Sequence, residues 1–355
     1  MNVKKNKNKL IIAGPCSVES KEQVITTAIK VDENINIDFL RGGIWKPRSR
    51  PNSFEGIGER GLKWLKEAGE IIDKPVITEV ANTSHVEAAL KVGIDALWIG
   101  ARTSVNPFLT EELSESLRGV NIPIAVKNPI NPDINLWIGA FERIQQKTNG
   151  EIILIHRGFS YFGESEYRNN PNWEIPIEMM RIYPEIPMIC DPSHICGNKQ
   201  LISAVSQKAL DLNMNGLMIE THVDPINAKS DSKQQVNPIE LKKIITSLVF
   251  KKEFSVDEEF TNSLQLLRSK IDTLDHEIIN LFSQRFKIVE KIGNYKKENK
   301  VTVYQQERWN EIIESRKNTA EFLKINIKFI QEYIDLIHNE SIRIQTQIVN
   351  NKKHG

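Results

Sequence analysis

Cysteine is scarce in this chain: 355 residues hold three, Cys16, Cys190 and Cys196. So few thiols exclude a disulfide framework and point to a reducing compartment. Long apolar runs are also missing. No stretch approaches the roughly 18 apolar residues of a membrane helix. The N-terminal MNVKKNKNKLIIAGPCS is basic, but LIIA is far too short for a signal-peptide core. A cytoplasmic protein is expected. Net charge is lacking too: Lys+Arg 47 against Asp+Glu 46 leaves +1. That balance gives no support to a nucleic-acid or membrane-surface partner, so basic residues must act site by site. Glycine and proline vanish late in the chain. From 261 onward the only glycines are Gly293 and Gly355, and there is no proline.

What is present divides at about residue 250. Before it, eight short apolar runs recur: 10–18, 39–45, 75–80, 96–101, 123–128, 152–158, 187–194 and 216–222. Helix-like segments such as KEQVITTAIKVDEN and TSHVEAALKVG separate them. Alternation of this kind implies a parallel sheet, and near-continuous apolarity implies strands covered on both faces. Eight units in about 240 residues predict a (β/α)8 barrel, with a doubly wound open sheet as the rival. The segment 251–261, polar and without strand signals, is expected to be a linker. From 262 to 355 a small all-α domain is expected. Its apolar residues Leu264, Leu267, Ile271, Leu274, Ile278, Leu281 and Phe282 follow a 3–4 spacing. Helices are predicted at about 262–299, 305–317 and 323–349. Three helices in under a hundred residues make a marginal core, which dimerisation would remedy.

Reactive and charged groups stand where the apolar runs end: Cys16, Lys46, Glu79, Arg102, Lys127, Arg157, His194 and Glu220. In a barrel these ends share one face, the catalytic mouth. Cys16, His194, Glu220 and Asp231 are four plausible ligands for one divalent ion. Thiolate, imidazole and carboxylates together suit a first-row ion of the Mn, Fe, Co or Zn class. Taken singly, each has a plainer explanation, a packed thiol or a satisfied structural histidine. Lys46, Arg102, Lys127 and Arg157 end four different strands and suit a phosphate and a carboxylate on one small substrate. Arg48 and Ser49 add a cationic corner with a hydroxyl. Four unrelated surface ion pairs are the alternative.

In the helical segment Arg285 and Lys296 are eleven residues apart and share a face. Arg268 precedes Arg285 by seventeen residues, about 25 Å along a straight helix. One small ligand cannot touch both on one helix, so a shared site would need Arg268 from a partner subunit. Ser341 and Gln345 form an i, i+4 pair. A solvated helix face is the plainer explanation for any one of these.

GPCSVES (14–20), RGGIWKPRS (41–49), IGAR (99–102), VKNP (126–129), HRG (156–158), DPSH (191–194), IET (219–221) and SD (230–231) together resemble the 3-deoxy-D-arabino-heptulosonate 7-phosphate synthases. The branch they resemble most is the one related to 3-deoxy-octulosonate 8-phosphate synthase. The resemblance covers about 10–245. It implies a (β/α)8 barrel that condenses phosphoenolpyruvate with erythrose 4-phosphate. By that resemblance Cys16, His194, Glu220 and Asp231 hold the metal. Lys46, Arg102, Lys127 and Arg157, helped by Arg41, bind phosphoenolpyruvate, and Arg48 and Ser49 meet erythrose 4-phosphate. Relatives usually carry Thr at the Ser49 position, and Ser keeps the hydroxyl. Lys46 is the candidate for proton transfer near the new hydroxyl, with a purely electrostatic role as the alternative. Octulosonate synthases carry a KANRS-type sequence where this chain has KPRS, so Pro47 and Arg48 favour the four-carbon aldehyde. Metal-independent octulosonate synthases also have Asn at the position of Cys16. With its first strand at residue 10, the chain is not expected to carry the N-terminal regulatory domain of some relatives.

LQLLRSKIDTLDHEIINLFSQRFKIVEKIGNYKKEN, YQQERW and IHNESIRIQTQ resemble the all-helical chorismate mutases over about 262–348. The resemblance implies that Arg268, Arg285, Lys296, Arg308, Ser341 and Gln345 bind chorismate. Arginines would clamp its two carboxylates, and Lys296 and Gln345 would donate to the ether oxygen as chorismate rearranges to prephenate, with no cofactor. It also implies a homodimer that donates Arg268 across its interface. Two positions depart from the pattern and normally serve the substrate hydroxyl and nearby polar contacts. The residue after Arg308, usually Glu, is Trp309, and the residue three before it, often Asp, is Gln305. The expectation is a bifunctional enzyme in which prephenate or another downstream metabolite inhibits the synthase through the mutase domain. The alternative is an active synthase with a catalytically dead helical domain serving dimerisation and ligand sensing.

Overall fold

The computed structural model describes residues 9–46, 53–251 and 257–350. They form two compact units that divide between Glu253 and Phe254. The first is a closed barrel of eight parallel strands in sequential order. These are β1 (Leu10–Gly14), β2 (Phe39–Arg41), β3 (Val76–Val80), β4 (Ala96–Ile99), β5 (Ile124–Lys127), β6 (Ile152–His156), β7 (Met188–Cys190) and β8 (Gly216–Glu220). Each falls inside one of the eight apolar runs, and β1 closes on β8 over Leu10↔Gly216 to Gly14↔Glu220. The open-sheet alternative is thereby excluded.

Apolar runs form these strands because both faces are covered. Leu10, Ile12, Phe39, Trp98 and Met218 belong to a cluster filling the barrel interior. Ile11, Ala13, Leu40 and Leu97 belong to a second cluster shared with the surrounding helices. That outer ring is α1 (Lys21–Asp32), α2 (Arg60–Ile71), α3 (Thr83–Val92), α4 (Pro107–Ser116), α5 (Ile134–Gln145), α6 (Glu174–Ile182), α7 (Ile202–Asp211) and α8 (Pro238–Ser247). Starts are written locally: Ser20 accepts from Gln23 N, Asn82 from His85 N, and Asn237 with Glu240 forms a capping box. At the mouth, Gly14 has φ 146°, and a Cβ there would collide with the Arg41 carbonyl oxygen. Only glycine lets β1 and β2 approach so closely just before Cys16.

The second unit holds three helices, α9 (Glu258–Glu298), α10 (Gln306–Phe322) and α11 (Ile327–Asn350). α9 starts inside the segment expected to be a linker, because Asp257 caps it by accepting from Phe260 N and acidic residues fill its first turn. Among its described residues only Val289, Gly293, Ala320, Ile334, Ser341 and Gln345 are buried. Gly293 lets α9 and α11 approach, since a Cβ there would meet Gln345 Cα at 3.4 Å and Ile348 Cδ1 at 3.0 Å. The apolar stripe of α9 is left open by the described residues of the helical unit: Leu267, Ile271, Leu274, Ile278 and Leu281 are 45–62% exposed. Among the described residues no helix is long and apolar enough to cross a membrane.

Candidate active sites

At the C-terminal ends of the barrel strands a cavity of about 540 Å³ is lined by Lys46, Glu79, Arg102, Lys127, Arg157 and His194, together with Ser53, Ser160, Arg168, Asn169 and Asp231. Lys46, Arg102, Lys127 and Arg157 therefore share one space. Arg41 lies beneath them, almost fully buried. Its guanidinium stands 4.9 Å from the Trp98 ring centroid, and Lys127 Nζ lies 5.4 Å from the same ring. Trp98 Nε1 donates to Glu79 Oε2 at 3.1 Å. Arg48 and Ser49 lie outside the described residues.

Buried cations need buried anions. Lys127 Nζ donates to Asp191 Oδ2 at 2.7 Å, with side chains 5% and 0% exposed. Burial alone would raise the Asp191 carboxyl. His194 and Lys127 outweigh it and hold that carboxyl well below its usual range. Burial pulls Lys127 down, Asp191 opposes this and Arg41 adds to it, with a net lowering. Burial likewise brings Arg157 down to about 10. Arg157 is aimed by two asparagines: its N donates to Asn128 Oδ1 at 2.7 Å and its Nη1 to Asn169 Oδ1 at 2.8 Å. Asn169 Nδ2 in turn donates to the His194 carbonyl at 2.6 Å.

Beside these cations stands an acidic cluster. Ligand atoms of Cys16, Glu220 and Asp231 all lie within 4.8 Å of one another. His194 is not in that mutual set, but its Nε2 is 3.7 Å from Glu220 Oε1. Asp231 sits at φ 46°, a left-handed conformation that few side chains adopt, which turns its carboxylate toward Cys16 Sγ at 3.3 Å. Burial, Glu220 and Asp231 push the Cys16 thiol up to about 12, against Lys46. Burial and Lys127 lower His194 from its usual value against Asp191 and Glu220, a shift toward the neutral imidazole that ligates metals. Its Nδ1 faces Asp191 Oδ2 at 2.8 Å, the outer carboxylate that commonly orients a metal-bound imidazole.

The donor set suits a divalent ion. A thiol and two carboxylates are packed together, and Glu220 Oε1 is buried without an aligned hydrogen bond although Arg41 Nη2 is 3.1 Å away. Protein cations partly offset the cluster: Lys46 Nζ donates to Cys16 Sγ at 3.0 Å, and Arg168 Nη1 meets Asp231 Oδ1 at 3.1 Å. Gln234 joins them, donating to Glu220 Oε2 and accepting from Arg168 Nη1, both at 2.7 Å. Arg168, Asn169, Asn128 and Gln234 were missed from sequence. They lie on loops where no periodicity marks a position, and only Asn128 stood within a quoted motif.

In the helical unit Arg285 Nη1 donates to Ser341 Oγ at 2.7 Å, and Gln345 Nε2 to the Ser341 carbonyl at 3.2 Å. Gln345 Oε1 is buried without a partner. Lys296 Nζ donates to the Val303 carbonyl at 2.6 Å, and burial lowers it. Arg285 is lowered chiefly by burial. Arg308 is exposed and turned to Glu311 at 2.8 Å. Arg268 lies on the same unbroken helix as Arg285, seventeen residues or about 25 Å away, beyond the reach of a shared small ligand. Thus Arg285, Ser341 and Gln345 are together, whereas Arg308 and Arg268 are not drawn to them by any described contact.

Comparison with known proteins gives a family match for each unit. Residues 2–255 match the DAHP synthetase I family, and residues 267–346 match chorismate mutase type II. A phospho-2-dehydro-3-deoxyheptonate aldolase of Thermotoga maritima is 33% identical over 227 residues, covering 64% of this chain and 65% of that protein. The chain thus spans just under two thirds of that relative's length. A 2-dehydro-3-deoxyphosphooctonate aldolase of Helicobacter pylori is 28% identical over 268 residues, covering 68% of this chain and 94% of its own length. The crystal structure of the Thermotoga maritima DAHP synthase superposes with a TM-score of 0.60 at 31% identity, covering 69% of this chain and 70% of that one. A truncated form of the 3-deoxy-D-arabino-heptulosonate 7-phosphate synthase from Thermotoga maritima gives 0.58 at 30% identity, covering 68% and 85%. By its barrel the chain belongs to the DAHP synthetase I family, and a type II chorismate mutase domain follows that barrel.

Proposed function

We propose that the barrel condenses phosphoenolpyruvate with erythrose 4-phosphate, releasing 3-deoxy-D-arabino-heptulosonate 7-phosphate and phosphate. The observation that carries this is one cavity lined by Lys46, Arg102, Lys127 and Arg157 together with His194 and Asp231, where Asp231 stands within 4.8 Å of the ligand atoms of Cys16 and Glu220. Arg102, Lys127 and Arg157, with Arg41 beneath, hold the phosphate and carboxylate of phosphoenolpyruvate. Cys16, His194, Glu220 and Asp231 hold one divalent ion, which when bound supplies Lewis acidity at the aldehyde oxygen. Carbon 3 of phosphoenolpyruvate attacks the aldehyde carbon, water adds at carbon 2, and phosphate leaves. Lys46 stays protonated: burial pulls it down, but the acidic groups of Cys16, Glu220, Glu79 and Asp231 outweigh that. It is therefore placed to give a proton to, or stabilise, the new hydroxyl. Arg48 and Ser49 receive the phosphate of the four-carbon aldehyde, and Pro47 with Arg48 disfavour the longer aldehyde of the octulosonate branch.

The helical unit rearranges chorismate to prephenate. Arg285 and Lys296 supply positive charge where the substrate carries carboxylates and breaks an ether bond, and Gln345 donates to the same ether oxygen. Arg308 and a partner's Arg268 complete the clamp. The uncovered stripe of α9 supports a homodimer, because a second copy would bury the exposed half of Leu267, Ile271, Leu274, Ile278 and Leu281, at about 0.7–1.5 kcal/mol each. Prephenate, bound in the helical unit, inhibits the barrel if the two activity states bind it with different affinity. Synthase rates unchanged by saturating prephenate would sink that regulation. The function itself is tested by incubating the purified chain with each substrate set. The expected result is one phosphate released per erythrose 4-phosphate consumed, and separate loss of chorismate. Loss of arabinose 5-phosphate in place of erythrose 4-phosphate would move the barrel to the octulosonate branch.

A further inference from the structure

Trp309 is the sharpest departure of the helical unit from related mutases, and it is not merely a lost acid. Its indole stacks on the His338 imidazole with centroids 3.7 Å apart and planes 22° apart. Tyr304 meets the same imidazole edge-on at 6.1 Å. His338 stands on α11, one turn before Ser341, and its Nε2 is buried with no hydrogen-bond partner. Burial lowers its pKa first, and Arg285 and Lys296 lower it further, against Asp335. A neutral imidazole thus stands within electrostatic reach of the two cations assigned to the substrate.

Chorismate carries two carboxylates, one ether oxygen and one ring hydroxyl. The cations and Gln345 are matched to the first two kinds of group. Ser341 Oγ is already engaged, accepting from Arg285 and donating to the Ile337 carbonyl at 2.7 Å. Trp309 can donate from its indole nitrogen but cannot accept a hydrogen bond. The hydroxyl needs a neutral group with an open valence on this cluster: Gln345 Oε1 is one, but its amide is assigned to the ether oxygen, and His338 Nε2 is the other. We propose that His338 Nε2 hydrogen-bonds the ring hydroxyl of chorismate, with Trp309 fixing the plane of the imidazole. Resting on the mutase assignment above, this makes His338 a substrate-contacting and specificity-determining residue. It takes over a contact that an acidic side chain at position 309 would make.

The test compares chorismate with its analogue lacking the ring hydroxyl, using the full-length protein and His338→Leu. Loss of one buried neutral hydrogen bond lowers kcat/KM for chorismate by about tenfold. The analogue should show no such loss, because it has no hydroxyl to miss. A purely structural role would lower both substrates together, and that result, or unchanged turnover of chorismate, would overturn the proposal. Trp309→Glu combined with His338→Leu restores an acceptor from the other helix and should recover most of the chorismate rate. Failure of the unaltered protein to turn over chorismate at all would remove the mutase assignment itself and this inference with it. Turnover insensitive to both substitutions would remove the inference alone.

Discussion

Asp191→Asn isolates what the buried anion does. The substitution keeps shape and an oxygen able to accept from the His194 backbone N–H, now 3.1 Å from Asp191 Oδ1. It deletes the charge opposite Lys127 Nζ at 2.7 Å and His194 Nδ1 at 2.8 Å. Removing one partner of a buried pair typically costs about 3–5 kcal/mol. Lys127 limits that cost by giving up its proton, which burial and Arg41 already favour. For a barrel of this size, about 2–4 °C per kcal/mol predicts a barrel melting point lowered by roughly 6–20 °C. A neutral Lys127 would also lose the proposed charge-assisted hydrogen bond to phosphoenolpyruvate, about 1.5–3 kcal/mol or some 10–150-fold in affinity. Thermal unfolding and calorimetric titration with phosphoenolpyruvate read the two effects. A melting point within about 2 °C of the parent, which on this scale is about 1 kcal/mol or less, with unchanged affinity would refute the pairing argument.

Other consequences follow from single contacts. Arg285→Ala should lower chorismate turnover by about a hundredfold or more, since it removes a substrate cation and the Ser341 partner, while the synthase rate stands. If instead the unaltered protein shows no mutase activity and Arg285→Ala changes only inhibition, the helical unit is a sensor. His156, with both ring nitrogens buried and unpartnered, is depressed by burial from 6.5 to about 3. The folded state thus resists a proton that the unfolded chain accepts. Stability is full above pH 6.5 and falls as pH drops toward 3, by up to about 1.4 kcal/mol per unit from this group. His156→Phe should flatten that part of the slope in denaturant titrations at pH 7 and pH 5, and an unchanged slope would contradict the assignment. Leu274→Lys places a charge on the α9 stripe, where Leu274 is 57% exposed in the single chain. Analytical ultracentrifugation should show its dimer weakened relative to the parent, and a parent that is monomeric would refute the covered stripe.

The barrel was legible because burial on both faces writes strands as unbroken apolar runs, and because Cys16, Lys127, Arg157 and His194 each end or closely follow one. The α9 stripe was equally legible as an apolar face, but periodicity does not say which chain covers it, and the described chain leaves Ile271 and Leu274 open. Asp257 with Glu258 and Glu259 carried the helix start that the polar composition of 251–261 hid. The supporting groups were the hardest to find. Asn169 and Gln234 act through hydrogen bonds across loops that meet only after folding, and nothing in their sequence neighbourhood distinguishes them from solvated turns. Trp309 stood out as a departure, whereas its partner His338 sat unremarked on a helix face until the stack joined them.

Treatment of the full-length protein with a chelator, with both activities followed before and after, separates the two sites. Condensation of phosphoenolpyruvate with erythrose 4-phosphate should stop and return on adding a first-row divalent ion, while chorismate turnover does not change. Synthase activity indifferent to the chelator, or chorismate turnover lost along with it, would contradict two separate sites of which only the barrel's uses a metal.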